Sequence, residues 1–361
     1  MQPRYAKVGI FGVGLLGGSV ALGLKSRFLA GEVHTYDRDP RALEAALALG
    51  AADRAHTELG PWVGELDLAV LAAPVGAIPA LIEAIRPYAG EGTLFTDVGS
   101  VKGPVVRAAK GLPRFVGGHP MAGSERAGVQ NAHAGLLENA VWVLTPTEET
   151  DPADLEEAET LVNELGAYPL VLDPELHDRL VARVSHLPYL LAVALNLLVS
   201  RDEKKDLLMF LAAGGFRDLT RVASGSPRMS RDMVVENREA VRAAIEELRA
   251  VLGELEAALE HPEALIRLAE EAKRTRDALP VVKRSLLPVR HELVVQVPDR
   301  PGELARITTA LGEAGVNIKD IEVLTIRDAG GAIRLGFAEP GEKAAARRVL
   351  EGIGYRVVSP G

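Results

Sequence analysis

The 361-residue sequence predicts an α/β protein in three parts: a doubly wound α/β domain over residues 1–173, an all-helical domain over 174–283 and a ferredoxin-like βαββαβ module over 290–361. Three observations carry that division. Short apolar runs alternate with helical patterns from Lys7 to about Asp173; strand-like runs then vanish until about Pro280; and from His291 the order is strand, helix, strand, strand, helix, strand. The first pattern is the signature of βαβ units, a parallel sheet with helices on both faces. The last is the order of the ferredoxin-like module.

Taken in order, KVGIFG (7–12) is a strand, GGSVALGLKSRFL (17–29) a helix, VHTYD (33–37) a strand, RALEAALALG (41–50) a helix and LDLAVLAAP (66–74) a strand. TLFTDVG (93–99), RFVGGHP (114–120), AVWVLTP (140–146) and YPLVLD (168–173) continue the strand series. In the helical part the most apolar stretch, LPYLLAVALNLLVS (187–200), is 14 residues long and contains Pro188 and Asn196. A membrane-spanning helix needs about 20 apolar residues, so this stretch is expected to be a buried or dimer-interface helix. LPVVKRSLLPVR (279–290), two prolines flanking a Lys-Arg pair, reads as a linker. Beyond it, HELVVQVPD, ELARITTALGEAG, VNIKDIEVLTI, AIRLGF, GEKAAARRVLEGIG and YRVVS supply the βαββαβ order.

Composition narrows the function. A hydrophobic fraction of 47% with 25% charged residues is that of an ordinary globular protein. The net charge of -9 and the lack of a Lys/Arg-rich run argue against a nucleic-acid partner. The chain has no cysteine, hence no disulfide framework, thiolate metal site or cysteine nucleophile, which fits the cytoplasm. The N-terminal MQPRYAKVGIFG enters a strand without a signal-peptide pattern, so neither export nor a membrane partner is expected.

The chemistry starts at GIFGVGLLGGSV, where Gly12, Gly14 and Gly17, with Leu15 inside the motif, form a G-x-G-x-x-G turn that follows a strand and opens a helix. Such glycines let a pyrophosphate approach backbone N–H groups at a helix N-terminus. Asp37 follows 20 residues after Gly17, at the end of the second strand, where a carboxylate accepts the ribose hydroxyls of NAD and repels the extra phosphate of NADP. Arg38 beside it is the residue that could serve that phosphate; NAD is the expected cofactor. TDVGSVKG brings Ser100 and Lys102 to the carboxyl edge of the sheet, and GGHPMAGSER delivers His119 to the same edge beside two glycines. Doubly wound folds bind their ligands at that edge. An imidazole with an ordinary pKa of about 6.5 suits a base that takes an alcohol proton as hydride leaves the same carbon. In the helical part His177 and His186 lie nine residues apart, a poor match to metal-binding spacing, and no metal site is expected. They serve either as hydrogen-bonded interior histidines or in a substrate pocket. AAGGFRDLTR places Arg217 and Arg221 four apart after Gly214, two forks for an anion, with Asp218 between them as an alternative partner.

Taken together, GVGLLGGS, TDVGSVKG, GGHPMAGSERAG, SHLPY and GGFRDLTR in this order resemble prephenate dehydrogenase over nearly the whole chain. PDRPGELARITTALGEAGVNI resembles the ACT domain, an amino-acid-sensing module. The resemblance implies NAD-dependent oxidative decarboxylation of prephenate to 4-hydroxyphenylpyruvate on the route to tyrosine, by a homodimer. It further implies that His119 accepts a hydrogen bond from the ring hydroxyl, that Ser100 orients both groups and that Arg221 holds the ring carboxylate. Arg217, Gly214, Glu125, Asp218, His186 and Tyr189 would line the substrate pocket. Two departures stand out: Tyr189 replaces a second histidine after SHLP, and Ser230 stands where tryptophan is common, which leaves arogenate as the alternative substrate. The ACT-like part implies feedback by tyrosine, at the loops Asp299–Gly302 and Gly315–Ile318. Pro301, Gly302, Asn317 and Ile318 are its candidate contacts. The other reading is an amino-acid-sensing protein without turnover.

Overall fold

The computed structural model describes residues 2–123, 126–278, 291–298, 300–327 and 330–358. Its contacts divide the chain into two units, Met1–Lys273 and Arg274–Gly361. The linker expected at 279–290 and the position of Glu125 lie outside the described residues.

The first unit opens with β1 (Tyr5–Phe11), α1 (Leu15–Ser26), β2 (Ala30–Tyr36), α2 (Pro40–Ala48), β3 (Arg54–His56), β4 (Leu68–Leu71), α3 (Ile78–Ile85), β5 (Leu94–Asp97), α4 (Gly103–Ala109), β6 (Phe115–Pro120), β7 (Val141–Thr145), α5 (Pro152–Glu164) and β8 (Tyr168–Val171). These strands form one sheet in the order β3-β2-β1-β4-β5-β6-β7-β8. Val8, Ile10, Phe11 and all of β4 are buried, because strands covered on both faces must be apolar throughout. Three helices start on the same pair, Asp39-Pro40, Asp151-Pro152 and, for α6 (Pro174–Val181), Asp173-Pro174. In each the aspartate accepts a backbone N–H of the first turn and the proline occupies a position whose N–H has no helical acceptor.

One expectation is corrected here. The sheet is not parallel throughout: β7 runs antiparallel to β6, and β8 runs parallel to β7. A parallel neighbour needs a crossover, usually a helix. Between Pro120 and Val141 the described residues form only one short 3-10 turn, Val129–Asn131, so the chain returns antiparallel.

After α6 come a π-helical turn at Ala182–His186, α7 (Leu187–Ser200), α8 (Lys205–Leu211), α9 (Gly214–Thr220), α10 (Pro227–Glu236), α11 (Arg238–Ala258) and α12 (Pro262–Asp277). Of the two readings offered for Leu187–Ser200, a buried or a dimer-interface helix, the structure excludes the first. The expected 14-residue helix is the second half of a 27-residue helical run, Pro174–Ser200, long and apolar enough by length and composition to cross a membrane. It is not a buried helix, since Ala192 is the one fully buried residue of α7. Its first half packs on the sheet domain through His177 and Asp178.

The second unit contains β9 (His291–Val297), α13 (Glu303–Glu313), β10 (Asp320–Arg327), β11 (Gly330–Phe337), α14 (Pro340–Gly352) and β12 (Arg356–Val358). Its antiparallel sheet has the order β10-β11-β9-β12, the ferredoxin-like arrangement expected from the sequence. Leu293, Val295, Ile307, Leu311, Leu335 and Phe337 fill the core between sheet and helices.

Candidate active site

The glycine turn between β1 and α1 is built by exclusion. Gly12 has φ of +105°, and a Cβ there would stand 2.7 Å from the backbone of Ala72; a Cβ on Gly17 would stand 2.1 Å from the Gly12 carbonyl oxygen. Gly14 differs. It is the N-cap of α1 in extended backbone, and nothing lies within 4 Å of a Cβ placed there. Space over Gly14, with the free N–H groups of α1's first turn at Leu15, fits a pyrophosphate. The Asp37 carboxylate anchors the turn by accepting the N–H of Val13 at 2.8 Å and of Asp39 at 3.0 Å, with lone pairs left for ribose hydroxyls. Arg38 is exposed. These residues fit a dinucleotide.

At the carboxyl ends of β5 and β6 a buried polar network holds the candidate base. The Asp97 carboxylate accepts the N–H of Gly118 at 2.9 Å and of Gly99 at 2.8 Å, and it is paired with the Lys102 ammonium. That ammonium also donates to the Gly118 carbonyl at 2.6 Å. Lys102 is fully buried, and burial pulls it below the ordinary lysine value against the opposing pull of Asp97. Lys102, expected as a ligand-facing residue, is therefore a strut from β5 to β6. The two glycines before His119 also have a structural cause: a Cβ on Gly117 would stand 2.4 Å from the Thr145 hydroxyl, and one on Gly118 2.5 Å from the Asp97 carbonyl. What approaches this backbone closely is the protein itself.

His119 is half-buried at the end of β6. Its Nδ1 lies 2.8 Å from Nε2 of His177, whose Nδ1 lies 2.8 Å from Asp178 Oδ1. Asp178 in turn accepts the N–H of Lys102 at 2.7 Å and of Gly103 at 2.8 Å, at the start of α4. Burial pushes the Asp178 carboxyl up, but its bonds to His177 and the two amides outweigh that and hold it below the usual carboxylate range. Sequence reasoning missed this partnership. The open choice for His177 resolves to an interior histidine bonded directly to the candidate base.

The other expected residues fall in several places. Ser100 is half-buried on the loop between β5 and α4, and its side chain makes no hydrogen bond among the described residues. His186 is fully buried at the end of the π turn, with Nδ1 3.2 Å from the Asn237 amide nitrogen and no partner on Nε2. Burial pulls its imidazole down to about 4. Tyr189 is half-buried one turn on. Arg217 and Arg221 do not share one regular helix: Arg217 is in α9, and Arg221 opens the 3-10 turn that follows. Both are exposed, and neither pairs with Asp218 or another carboxylate among the described residues. Gly214 begins α9 with open space around it. In the second unit Gly302 caps α13 with φ of +92°, and Pro301 and Asn317 are exposed with Ile318 partly buried. Asp299 lies outside the described residues.

A dinucleotide turn with an acidic second strand, and an imidazole backed by a carboxylate at the same sheet edge, define the class: an NAD-dependent oxidoreductase. The relatives narrow it. The family description "Prephenate dehydrogenase, nucleotide-binding domain" matches residues 20–171, "Prephenate dehydrogenase, dimerization domain" matches 173–271, and "ACT domain" matches 291–347. The prephenate dehydrogenase of Bacillus subtilis is 34% identical over 349 residues, covering 94% of each chain. Among solved structures, the prephenate dehydrogenase of Aquifex aeolicus in complex with hydroxyphenyl propionate and NAD+ is 34% identical with a TM-score of 0.72, over 76% of this chain and 98% of that one. The arogenate dehydrogenase of Synechocystis is 31% identical with a TM-score of 0.65, over 75% and 99%. The chain belongs to the prephenate dehydrogenase family, with a C-terminal ACT domain.

Proposed function

We propose that the chain converts prephenate to 4-hydroxyphenylpyruvate and carbon dioxide with reduction of NAD, a cytoplasmic step toward tyrosine. NAD bound at the glycine turn supplies the hydride acceptor. Asp37 takes the ribose hydroxyls, and Gly12, Gly14, Leu15 and Gly17 leave room and N–H groups for the pyrophosphate. His119 accepts the ring hydroxyl's hydrogen bond, drawing its proton as the C–H bond breaks and returning it as the ring becomes aromatic, so no net proton is released. Ser100, with its hydroxyl uncommitted, orients the substrate hydroxyl. Arg221, assisted by Arg217, holds the ring carboxylate; Gly214, Asp218 and Tyr189 border the substrate. Since decarboxylation is driven by aromatisation, the protein's contribution is placement.

The single observation that carries this reading is the half-buried His119 at the carboxyl edge of a dinucleotide-binding sheet, backed by the His177–Asp178 pair. The near full-length likeness to the B. subtilis enzyme supports the choice of substrate. A second reading, arogenate as substrate, is favoured by the likeness to the Synechocystis enzyme and by Tyr189 in place of histidine. The chain works as a homodimer, and tyrosine acts on the ACT domain at Asn317, Ile318, Pro301 and Gly302.

The test follows NADH formation with prephenate and with arogenate, for wild type and His119→Asn. Rapid turnover of prephenate, reduced by roughly 10²- to 10⁴-fold in the variant, is expected. Preference for arogenate would select the second reading, and turnover of neither would leave an amino-acid-sensing protein.

A further inference from the structure

We infer that His177 and Asp178 are positioning residues that hold His119 in the one neutral tautomer able to act as a base toward the substrate. The inference rests on the role given to His119 above. It starts from Asp178, whose two oxygens accept two backbone N–H groups and the His177 ring. An ionised carboxylate can only accept. The proton between Asp178 and His177 therefore belongs to His177 Nδ1.

A neutral imidazole carries one N–H, which leaves His177 Nε2 bare. That bare nitrogen faces His119 Nδ1 at 2.8 Å, the two rings meeting edge to face at 78°. His119 Nδ1 must then donate, and the His119 lone pair falls on Nε2. Only the tautomer with the proton on Nδ1 presents a bare Nε2 that can take a proton from an alcohol. Two further titratable groups near the pair have partners of their own. Lys102 is tied to Asp97 and the Gly118 carbonyl, and His186 on the following π turn is bonded to Asn237.

The proton count closes. The substrate O–H proton moves to His119 Nε2 as hydride leaves the same carbon. The resulting positive charge is shared through Nδ1–H and His177 Nε2 with the Asp178 carboxylate. When the ring carboxylate departs as carbon dioxide, its electron pair makes the ring aromatic, and the phenolate oxygen takes the proton back from His119. His177 is buried and needs no path to water for this sequence.

The experiment uses the full-length protein, ¹⁵N-labelled at histidine, with the His119 signals identified by their loss in His119→Asn. Wild type is expected to show His119 protonated at Nδ1. In Asp178→Asn the amide can donate to His177 and reverse both tautomers; His119 then shows an Nε2–H population and kcat falls by roughly 10²- to 10⁴-fold with KM for NAD unchanged. A second pair of variants covers misfolding of the first: His177→Gln, whose amide oxygen still accepts the Nδ1–H, keeps the tautomer and more of the rate than His177→Leu. An Nε2–H tautomer in wild type overturns the inference, as does equal kcat and unchanged His119 signals in both His177 variants. A wild type that shows the Nδ1–H tautomer but oxidises neither substrate overturns the function reading alone, and the positioning stands.

Discussion

Arg221 is the simplest place to weigh the site residue by residue. An exposed guanidinium with no carboxylate of its own among the described residues loses little when it meets a substrate carboxylate, and a charge-assisted pair of that kind contributes about 1.5–3 kcal/mol. Arg221→Ala is therefore expected to raise KM for prephenate by roughly 10- to 100-fold and leave KM for NAD alone, read from initial rates. Lysine at this position restores only part, since it lacks the planar fork. His186 gives a prediction of opposite character, in stability. Its imidazole is pulled to about 4 by burial, which the nearby Asp178 charge only partly opposes, while the unfolded chain titrates near 6.5. The unfolded state thus binds this proton first, so stability is lost as pH falls from about 6.5 toward 4, by an amount on the order of 3 kcal/mol at most. Burial lowers the His56 value as well, which adds to the loss in the same direction. Urea midpoints measured near neutrality and near pH 4.5 check this, and His186→Met should flatten the difference. At this scale the sequence singled out His119, Asp37 and the glycines as candidates, because each sits in a local motif. It hid the link from His119 through His177 to Asp178, because His119 and His177 lie 58 residues apart and only the folded sheet edge joins them. Lys102 misled for the same reason: a lysine on a sheet-edge loop looks ligand-facing until the fold buries it.

Between elements, the β1–α1 turn separates two kinds of glycine that a motif cannot tell apart. Gly17→Ala forces a methyl to 2.1 Å from a carbonyl oxygen of the same turn, so that variant should lose stability and NAD binding together. Gly14→Ala meets nothing, and its extended backbone suits alanine, so its stability should stay within about 0.5 kcal/mol of wild type. The new methyl would still occupy the space left for the pyrophosphate. Calorimetric titration with NAD should then show affinity reduced by at least about tenfold, roughly the 1.4 kcal/mol that one lost contact of this kind represents. Unchanged affinity would mean the dinucleotide does not pass over Gly14. The strand series itself was legible from apolar runs, but strand direction was not, because an apolar strand buried on both faces reads alike either way. The signal was that the described residues between Pro120 and Val141 form no α-helix.

For the molecule as a whole, the unexplained feature is apolar surface. Phe210 is 86% exposed, Leu198 72%, Leu211 65% and Met209 64%, all on α7 and α8 of the region matched by the dimerization description. Monomeric proteins rarely leave large apolar side chains grouped in this way. The 27-residue run Pro174–Ser200 has the length for a membrane, yet its first half carries Asp178 and His177 bonded to α4 and β6, which ties the run to the sheet domain. A second copy of the chain is the occupant that fits both facts. Central aromatic residues carry most of the free energy of such contacts, so Phe210→Asp is expected to weaken self-association by at least about 100-fold, seen as a shift from dimer to monomer in sedimentation equilibrium. Because Phe210 lies on the helix just before Gly214, Arg217 and Arg221, separation should also loosen α9 and raise KM for prephenate more than KM for NAD. A wild type that sediments as a monomer, or a variant that remains dimeric with both constants unchanged, would move the interface elsewhere and leave these side chains without a function in assembly.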